Sequence, residues 1–128
     1  MKKFLFILCM FSSVANAEIS CEDAGGTLFK GNDGKTEYCL SYHGMNWWSA
    51  NAWCQSLGLE LVDLETECKK RGMLGATTVC PQLSLKESIS CWTKNTPSQS
   101  TALFIHLRDP RITRTDKNVI AAALCLVK

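Results

Sequence analysis

Several common protein classes are excluded by what the sequence lacks. No apolar run approaches the roughly 20 residues that a membrane-spanning helix needs, so we expect no membrane insertion of the mature chain. No Cys-x-x-Cys pair occurs, and the two histidines, His43 and His106, are far from any metal-ligand spacing, which argues against a zinc site. Neither a Gly-rich phosphate loop nor a Ser-His-Asp elbow is present. The sequence therefore predicts no cofactor and no familiar catalytic motif.

The first residues have the pattern of a cleavable secretory signal. Two lysines precede an apolar run over residues 4–11, and "ANA" at residues 15–17 supplies small residues before a cleavage site. We predict a signal peptide over residues 1–17, cleaved after Ala17, and a secreted or periplasmic mature chain. The alternative is that these residues form a buried first helix.

Little net charge remains once this segment is removed. The chain has 14 basic and 12 acidic residues, and the predicted signal contains two of the lysines and none of the acids. The mature chain is therefore close to neutral, so we expect no nucleic-acid partner. Residues 18–128 suit a single domain with one core.

Cysteine, by contrast, is abundant. Of the eight cysteines, only Cys9 lies in the predicted signal. A secreted chain of this length with seven cysteines is typical of a disulfide-stabilised scaffold. Because seven is odd, at least one thiol is free or pairs with another chain. The seven are Cys21, Cys39, Cys54, Cys68, Cys80, Cys91 and Cys125.

The N-terminal part of the mature chain predicts a β-hairpin. "GTLFK" and "TEYCLSY" are short β-prone runs, and "GNDG" between them favours a turn because Asn, Asp and Gly tolerate positive φ. Cys21 and Cys39 are placed to staple this hairpin. Closing a loop of that size would stabilise the fold by roughly 3 kcal/mol on the chain-entropy model.

A helix is predicted over the tryptophan-rich stretch "MNWWSANAWCQSLG". Asn46 is a suitable N-cap, and Gly58 lies where a C-terminal glycine belongs. Apolar residues recur at three- and four-residue steps, and Trp53 flanks the stripe that they form. The stripe consists of Trp47, Ala50, Cys54 and Leu57.

The remainder of the chain predicts a short second helix and several strands. "LELVDL" is a predicted strand, and "ETECKKR", acidic first and basic last, suits a helix because of the helix dipole. Residues 72–86 look mostly irregular. Strands are predicted at "SISCWT", "TALFIHL" and "VIAAALCLV", separated by polar, turn-rich stretches at "KNTPSQS" and "RDPRITRTDKN". Together these elements predict an α+β domain.

Three of these segments resemble C-type lectin-like domains. "NWWSANAWCQSLGLELVDL" is similar to the first helix and following strand of that family, and "AALCLVK" resembles its last strand. "CWTKNTP" followed by "ALFIHL" is similar to a segment of bacterial variants. The resemblance covers about residues 26–128, and its most specific part is the first-helix motif. It implies a disulfide-stapled fold of two short helices with a small antiparallel sheet.

The resemblance also implies how the cysteines pair. Cys91 would be the unpaired thiol; the alternative pairing joins Cys80 to Cys91 and leaves Cys68 free, because sequence alone does not fix connectivity. The implied disulfides are Cys21–Cys39, Cys54–Cys125 and Cys68–Cys80.

The chain departs from the family at the calcium and sugar motifs. None of its three prolines lies in a Glu-Pro-Asn or Gln-Pro-Asp sequence, and Trp92 is followed by Thr93 and Lys94 instead of Asn and Asp. After Ala76 the acidic residues are too few for the six to eight oxygens that calcium prefers. The Trp-Ile-Gly-Leu motif is missing as well. We therefore expect calcium-independent recognition, without metal.

Exposed aromatic and basic side chains are the candidate ligand-binding residues. Trp47 and Trp53 are expected in the core, whereas Trp48 points toward the other side of the helix. Arginines in "RDPRITRTDK" could grip a carboxylate or phosphate, although a solvated hairpin with local ion pairs is the simpler interpretation. The candidates are Trp48, Trp92, Arg108, Arg111, Arg114 and Lys117.

These observations predict a non-enzymatic protein that recognises a glycan or protein ligand. Catalysis by Cys91 with His106 is disfavoured, because "ISCWT" is an apolar strand context in which a buried cysteine is inert. The alternative is a structural or assembly component of a bacterial surface or secreted structure, linked through the odd cysteine. We expect a monomer by default and a disulfide-linked dimer as the other possibility.

Overall fold

The computed structural model describes residues 20–68, 78–85 and 87–127, so the predicted signal peptide lies outside the described residues. Within them the protein is α+β, with two α-helices and a mixed sheet. In chain order the elements are β1 (Gly26–Lys30), β2 (Glu37–Ser41), α1 (Trp47–Ser56), β3 (Glu60–Leu61), α2 (Leu64–Glu67), β4 (Thr78–Val79), a 3-10 turn (Pro81–Leu83), β5 (Ser90–Trp92), β6 (Thr101–His106), β7 (Arg111–Asp116) and β8 (Ala122–Leu126).

The sheet is not purely antiparallel, which corrects the prediction. Its strand order is β1-β2-β8-β5-β6-β7-β4, with β3 also pairing with β8. β5 and β8 run parallel, with Cys91 opposite Ala122 and Trp92 opposite Ala123. Parallel neighbours need a long connection, and here the β6–β7 hairpin provides it. The last strand therefore lies in the middle of the sheet, between β2 and β5.

Two apolar clusters pack on opposite faces of this sheet. On β8, Leu124 belongs to one cluster, and Ala123 and Cys125 belong to the other, as the alternation of side chains along a strand requires. Because both faces are covered, β8 reads as a continuous apolar run in the sequence and not as an alternating one. One face is covered by α1, through Ala50 and Cys54.

The predicted first helix is confirmed at both ends. The Asn46 side chain caps α1 by accepting a hydrogen bond from the Ser49 amide at 2.9 Å. Gly58 follows the helix with a φ of 73°, a conformation that glycine adopts without strain. The buried residues Ala50 and Cys54 lie on the predicted stripe.

The second helix begins earlier than predicted. The strand expected over "LELVDL" pairs with β8 only at Glu60–Leu61. Asp63 then ends the extended segment by capping α2, since its carboxylate accepts the Glu65 amide at 3.1 Å. α2 runs over Leu64–Glu67, and residues 69–71 of the predicted helix lie outside the described residues.

β7 lies within a segment that we predicted to be a turn-rich connection. Arg111–Asp116 pairs with β6 along its whole length. The β-branched residues Ile112, Thr113 and Thr115 favour an extended backbone, and Ile112 is fully buried. The charged residues of the strand itself are exposed, whereas Arg108 and Asp109 lie in the turn before it. The predicted last strand, by contrast, starts later than expected, at Ala122 instead of Val119.

Three disulfides connect distant parts of this fold: Cys21–Cys39, Cys54–Cys125 and Cys68–Cys80. These are the pairs that the resemblance implied, and Cys91 is a free, buried thiol. The disulfide density of so small a domain indicates an oxidising setting, either extracellular or periplasmic. No helix in the described part of the chain is both long and apolar enough to cross a membrane.

Candidate functional site

The first turn of α1 carries two tryptophans with different surroundings. Trp47 is partly buried, and its indole N–H donates to the carbonyl of Thr93 at 2.8 Å. Trp48 is 48% exposed and meets Trp47 edge-on, with ring centroids 6.3 Å apart. Trp47 therefore anchors the start of the helix to the sheet, whereas Trp48 presents an aromatic surface to solvent.

Lys117 packs against both rings although it is 69 positions away in sequence from Trp48. Its Nζ lies 4.4 Å from the centroid of the Trp47 ring and 5.5 Å from that of Trp48, which are cation–π distances. The backbone holds this arrangement, because the Trp47 amide donates to the Lys117 carbonyl at 2.9 Å. We call Trp48, Lys117 and the first turn of α1 the Trp48–Lys117 site.

The structure thus brings together two of the predicted ligand-binding residues. Lys117 differs from the prediction in one respect: it was expected in a solvated hairpin, but only 7% of it is exposed. Its side chain is buried, and the ammonium lies against the two indoles.

Two exposed apolar side chains follow Lys117 in the loop before β8. Ile120 is 65% exposed and Val119 is 38% exposed. An added Cβ at Gly44 would come within 2.5 Å of Ile120 Cγ2, so the Ile120 side chain would have to shift to admit it. The sequence did not indicate this exposure because Val119 and Ile120 were assigned to the last strand.

Trp92 is not available to a ligand, which corrects its prediction as a binding residue. It is fully buried and packs against Phe104, with ring centroids 5.7 Å apart. Its indole N–H is satisfied by the carbonyl of Met45 at 2.8 Å. Trp92 therefore holds the segment before α1 against the sheet. Trp53, expected in the core, is partly buried and packs against the cluster under α1.

The predicted arginines are exposed but do not converge. Arg108 lies in the turn between β6 and β7, and Arg111 and Arg114 lie on β7. Residues three apart on a strand point to opposite faces, and these two pair with His106 and Leu103 respectively. The three arginines therefore form no joint anion clamp, and the predicted basic site reduces to Lys117.

A concave feature, which the sequence did not indicate, lies between the N-terminal hairpin and α2. It is a cleft of about 460 Å³ lined in part by Asp33, Glu67 and Gln82. Beneath it, the Tyr38 hydroxyl donates to the Glu67 carboxylate and accepts from Gln82 Nε2 at 2.9 Å. Burial together with the Glu67 carboxylate raises the pKa of Tyr38, so the phenol stays protonated.

The polar groups of this cleft are engaged in holding the fold. The Asp33 carboxylate accepts hydrogen bonds from the amides of Lys35 and Thr36 and from the Thr36 hydroxyl, and these bonds lower its pKa. Gln82 Oε1 accepts the Asp33 amide at 3.1 Å. Hydrogen bonds at this cleft therefore join the hairpin turn to the 3-10 turn.

Cys91 and His106 do not form a catalytic pair. Cys91 lies opposite Ile105, whereas His106 lies opposite Ser90, so the two side chains point to opposite faces of the sheet. Burial raises the pKa of the Cys91 thiol, which keeps it protonated and unreactive. His106 Nδ1 lies 3.4 Å from the Asp109 carboxylate on the adjacent turn.

No group of three or more His, Cys, Asp or Glu side chains suited to a metal ion occurs within the ranges that the structure describes. Comparison of the sequence with protein-family models and with curated proteins returns no match. The Trp48–Lys117 site and the motifs in the sequence are therefore the features of this protein that bear on its function.

Proposed function

We propose that this protein is a non-enzymatic recognition domain of the C-type lectin-like class that binds a glycan or protein ligand without calcium. The class is supported by the first-helix motif and by the Cys54–Cys125 disulfide, which ties α1 to the middle strand β8 as the resemblance implied. The disulfide content fits export through the predicted signal peptide.

One observation carries the proposed recognition: Trp48 offers a half-exposed indole directly beside the Lys117 ammonium. Aromatic faces suit sugar rings and apolar side chains of a protein ligand, and an adjacent cation adds polar specificity. Trp48 is not the anchor of the helix, because Trp47 already makes that contact through its hydrogen bond to Thr93.

The test is a binding screen of the oxidised mature protein, residues 18–128. Glycan arrays and pull-downs are run in parallel with calcium and with EDTA. We expect the same ligands under both conditions, and binding that is lost in Trp48→Ala. Tyr42→Ala is the matched control, since Tyr42 is also 48% exposed. Binding that required calcium, or that survived in Trp48→Ala, would contradict the proposal.

An assembly role through Cys91 has less support. An intermolecular disulfide needs an accessible thiolate, and Cys91 is fully buried with a raised pKa. Recognition through the exposed surface of α1 has no such requirement.

A further inference from the structure

We infer that the ligand of the Trp48–Lys117 site is an acidic sugar, whose ring stacks on Trp48 and whose carboxylate pairs with Lys117. This inference rests on the proposed function and narrows it to one ligand chemistry. It is carried by an unpaired cation at the site, by one free backbone donor at the start of α1, and by the exposed indole of Trp48.

The charge of Lys117 is not paired with a carboxylate in the described part of the protein. Lys117 forms cation–π contacts but no ion pair or hydrogen bond through Nζ with any described residue. It lies at the N-terminus of α1, the positive end of the helix dipole, where a cation is unfavourable and an anion is favoured. The first turn of α1 contains no acidic residue to offset this.

The Lys117 side chain is buried and has no polar partner among the described residues. Only 7% of the residue is exposed, and the contacts of Nζ are the two indole rings. Because an unpaired charge is costly to bury, a ligand carboxylate that reaches Nζ would supply the ion pair that it lacks.

The backbone of α1 adds a donor at the same position. Helix N-termini bind anions because their first amides lack partners within the helix. The Trp47 amide is taken by the Lys117 carbonyl and the Ser49 amide by the Asn46 side chain. The Trp48 amide between them has no hydrogen-bond partner among the residues that the structure describes. A carboxylate at Lys117 is thus close to an amide that can donate to it.

The aromatic surface distinguishes an acidic sugar from a bare anion. Nζ lies only 5.5 Å from the Trp48 centroid, so a single pyranose that stacks on the indole can direct its carboxylate to the ammonium. A small inorganic anion would leave this surface exposed, and a neutral sugar would leave the charge unpaired.

The direct test compares acidic and neutral members of matched glycan pairs in EDTA. Suitable probes are sialyllactose against lactose, and trigalacturonic acid against maltotriose, titrated by calorimetry or weak-affinity chromatography. We expect the acidic member of at least one pair to bind five- to tenfold tighter at low salt. The difference should shrink to about twofold at 0.5 M NaCl, because added salt screens an exposed ion pair.

Two variants separate the parts of the site, and two more serve as controls. Lys117→Met keeps the buried stem and removes the charge, so it should abolish the preference for the acidic member. Trp48→Ala should weaken both members at least tenfold. Arg114→Met removes an exposed cation from β7 and should change neither the affinity nor the acidic preference. Lys117→Arg keeps the charge and should therefore keep the preference. Near-UV circular dichroism checks that each variant is folded.

The outcomes distinguish this inference from the proposed function. Equal binding of acidic and neutral sugars, or an acidic preference that persists in folded Lys117→Met, would overturn the inference while leaving glycan recognition intact. An acidic preference lost equally in Arg114→Met would also overturn it. If none of the four probes binds but the pull-down captures a protein through Trp48, the acidic-sugar inference fails and the recognition role stands.

Discussion

At the residue scale, the accessibility of Cys91 distinguishes a domain that stands alone from one that is linked by a disulfide to another chain. The thiol is fully buried on β5, and burial raises its pKa above the ordinary range. A protonated, inaccessible thiol neither attacks a substrate nor exchanges with a disulfide. We therefore expect one equivalent of iodoacetamide label per chain after unfolding, and almost none in the native protein at pH 8.5 within an hour.

The control for this experiment is Cys91→Ser, which should take up no label in either state. Wild type and Cys91→Ser should also migrate identically on a non-reducing gel. Rapid labelling of the native protein, or a dimer band that disappears in Cys91→Ser, would contradict the assignment of Cys91 as an inert core residue.

The Trp48–Lys117 site shows what single-residue reasoning reaches and what it misses. The sequence placed Trp48 on the outer side of a helix because of its position relative to the apolar stripe, and the structure agrees. It could not indicate that Lys117 contacts Trp48, since 69 residues separate them and no local pattern encodes the contact. Trp92 was misjudged because both faces of the sheet are covered at β5: Cys91 belongs to one apolar cluster and Trp92 to the other, and nothing local in the sequence indicates the second cover.

At the element scale, α1 is the element whose local signals were strongest. The cap Asn46 and the glycine Gly58 are local in sequence, so both ends were predictable. β7 was not, because its charged residues resemble a loop in the sequence and its pairing partner β6 lies across a turn. The length of β3 was also predicted wrongly. The strand has two residues instead of six, because Asp63 caps α2 and ends the extended segment.

Removal of the N-cap should measurably destabilise the helix that carries the site. In Asn46→Ala the Ser49 amide loses its acceptor, and we expect a loss of about 1 kcal/mol in the free energy of unfolding. Urea titration followed by far-UV circular dichroism measures it. Asn51→Ala, within the same helix, is the matched control and should change stability by no more than a few tenths of a kcal/mol. Equal effects of the two substitutions would show that Asn46 does not act as a cap.

At the scale of the whole molecule, the sheet order is the least predictable feature. The sequence predicted most strands, yet the parallel pairing of β5 with β8 depends on where the β6–β7 hairpin folds back. That pairing places the last strand at the centre, where it contacts both apolar clusters. The Cys54–Cys125 disulfide then fastens α1 to this central strand across 71 positions.

The three disulfides should differ in their contribution to stability. On the chain-entropy model, a closed loop as long as that of Cys54–Cys125 is worth about 4 kcal/mol, against about 3 kcal/mol for Cys68–Cys80, which spans 12 positions. Replacing the first pair with alanines should therefore lower the melting temperature more than replacing the second. The second pair is the control, and the reverse order would contradict the central role given to β8. Mass spectrometry of non-reduced peptides should recover the three pairs and a free Cys91.

The central claim, calcium-independent recognition at the Trp48–Lys117 site, is tested most directly by following the indole N–H signals of the tryptophans. The ¹⁵N-labelled mature protein is titrated in EDTA with the strongest ligand from the binding screen, and signals are assigned with Trp48→Phe. The account predicts that the Trp48 signal shifts on saturation, while that of Trp92, buried and bonded to the Met45 carbonyl, stays in place. A ligand that binds in EDTA without moving the Trp48 signal, or that binds only after calcium is restored, would contradict it.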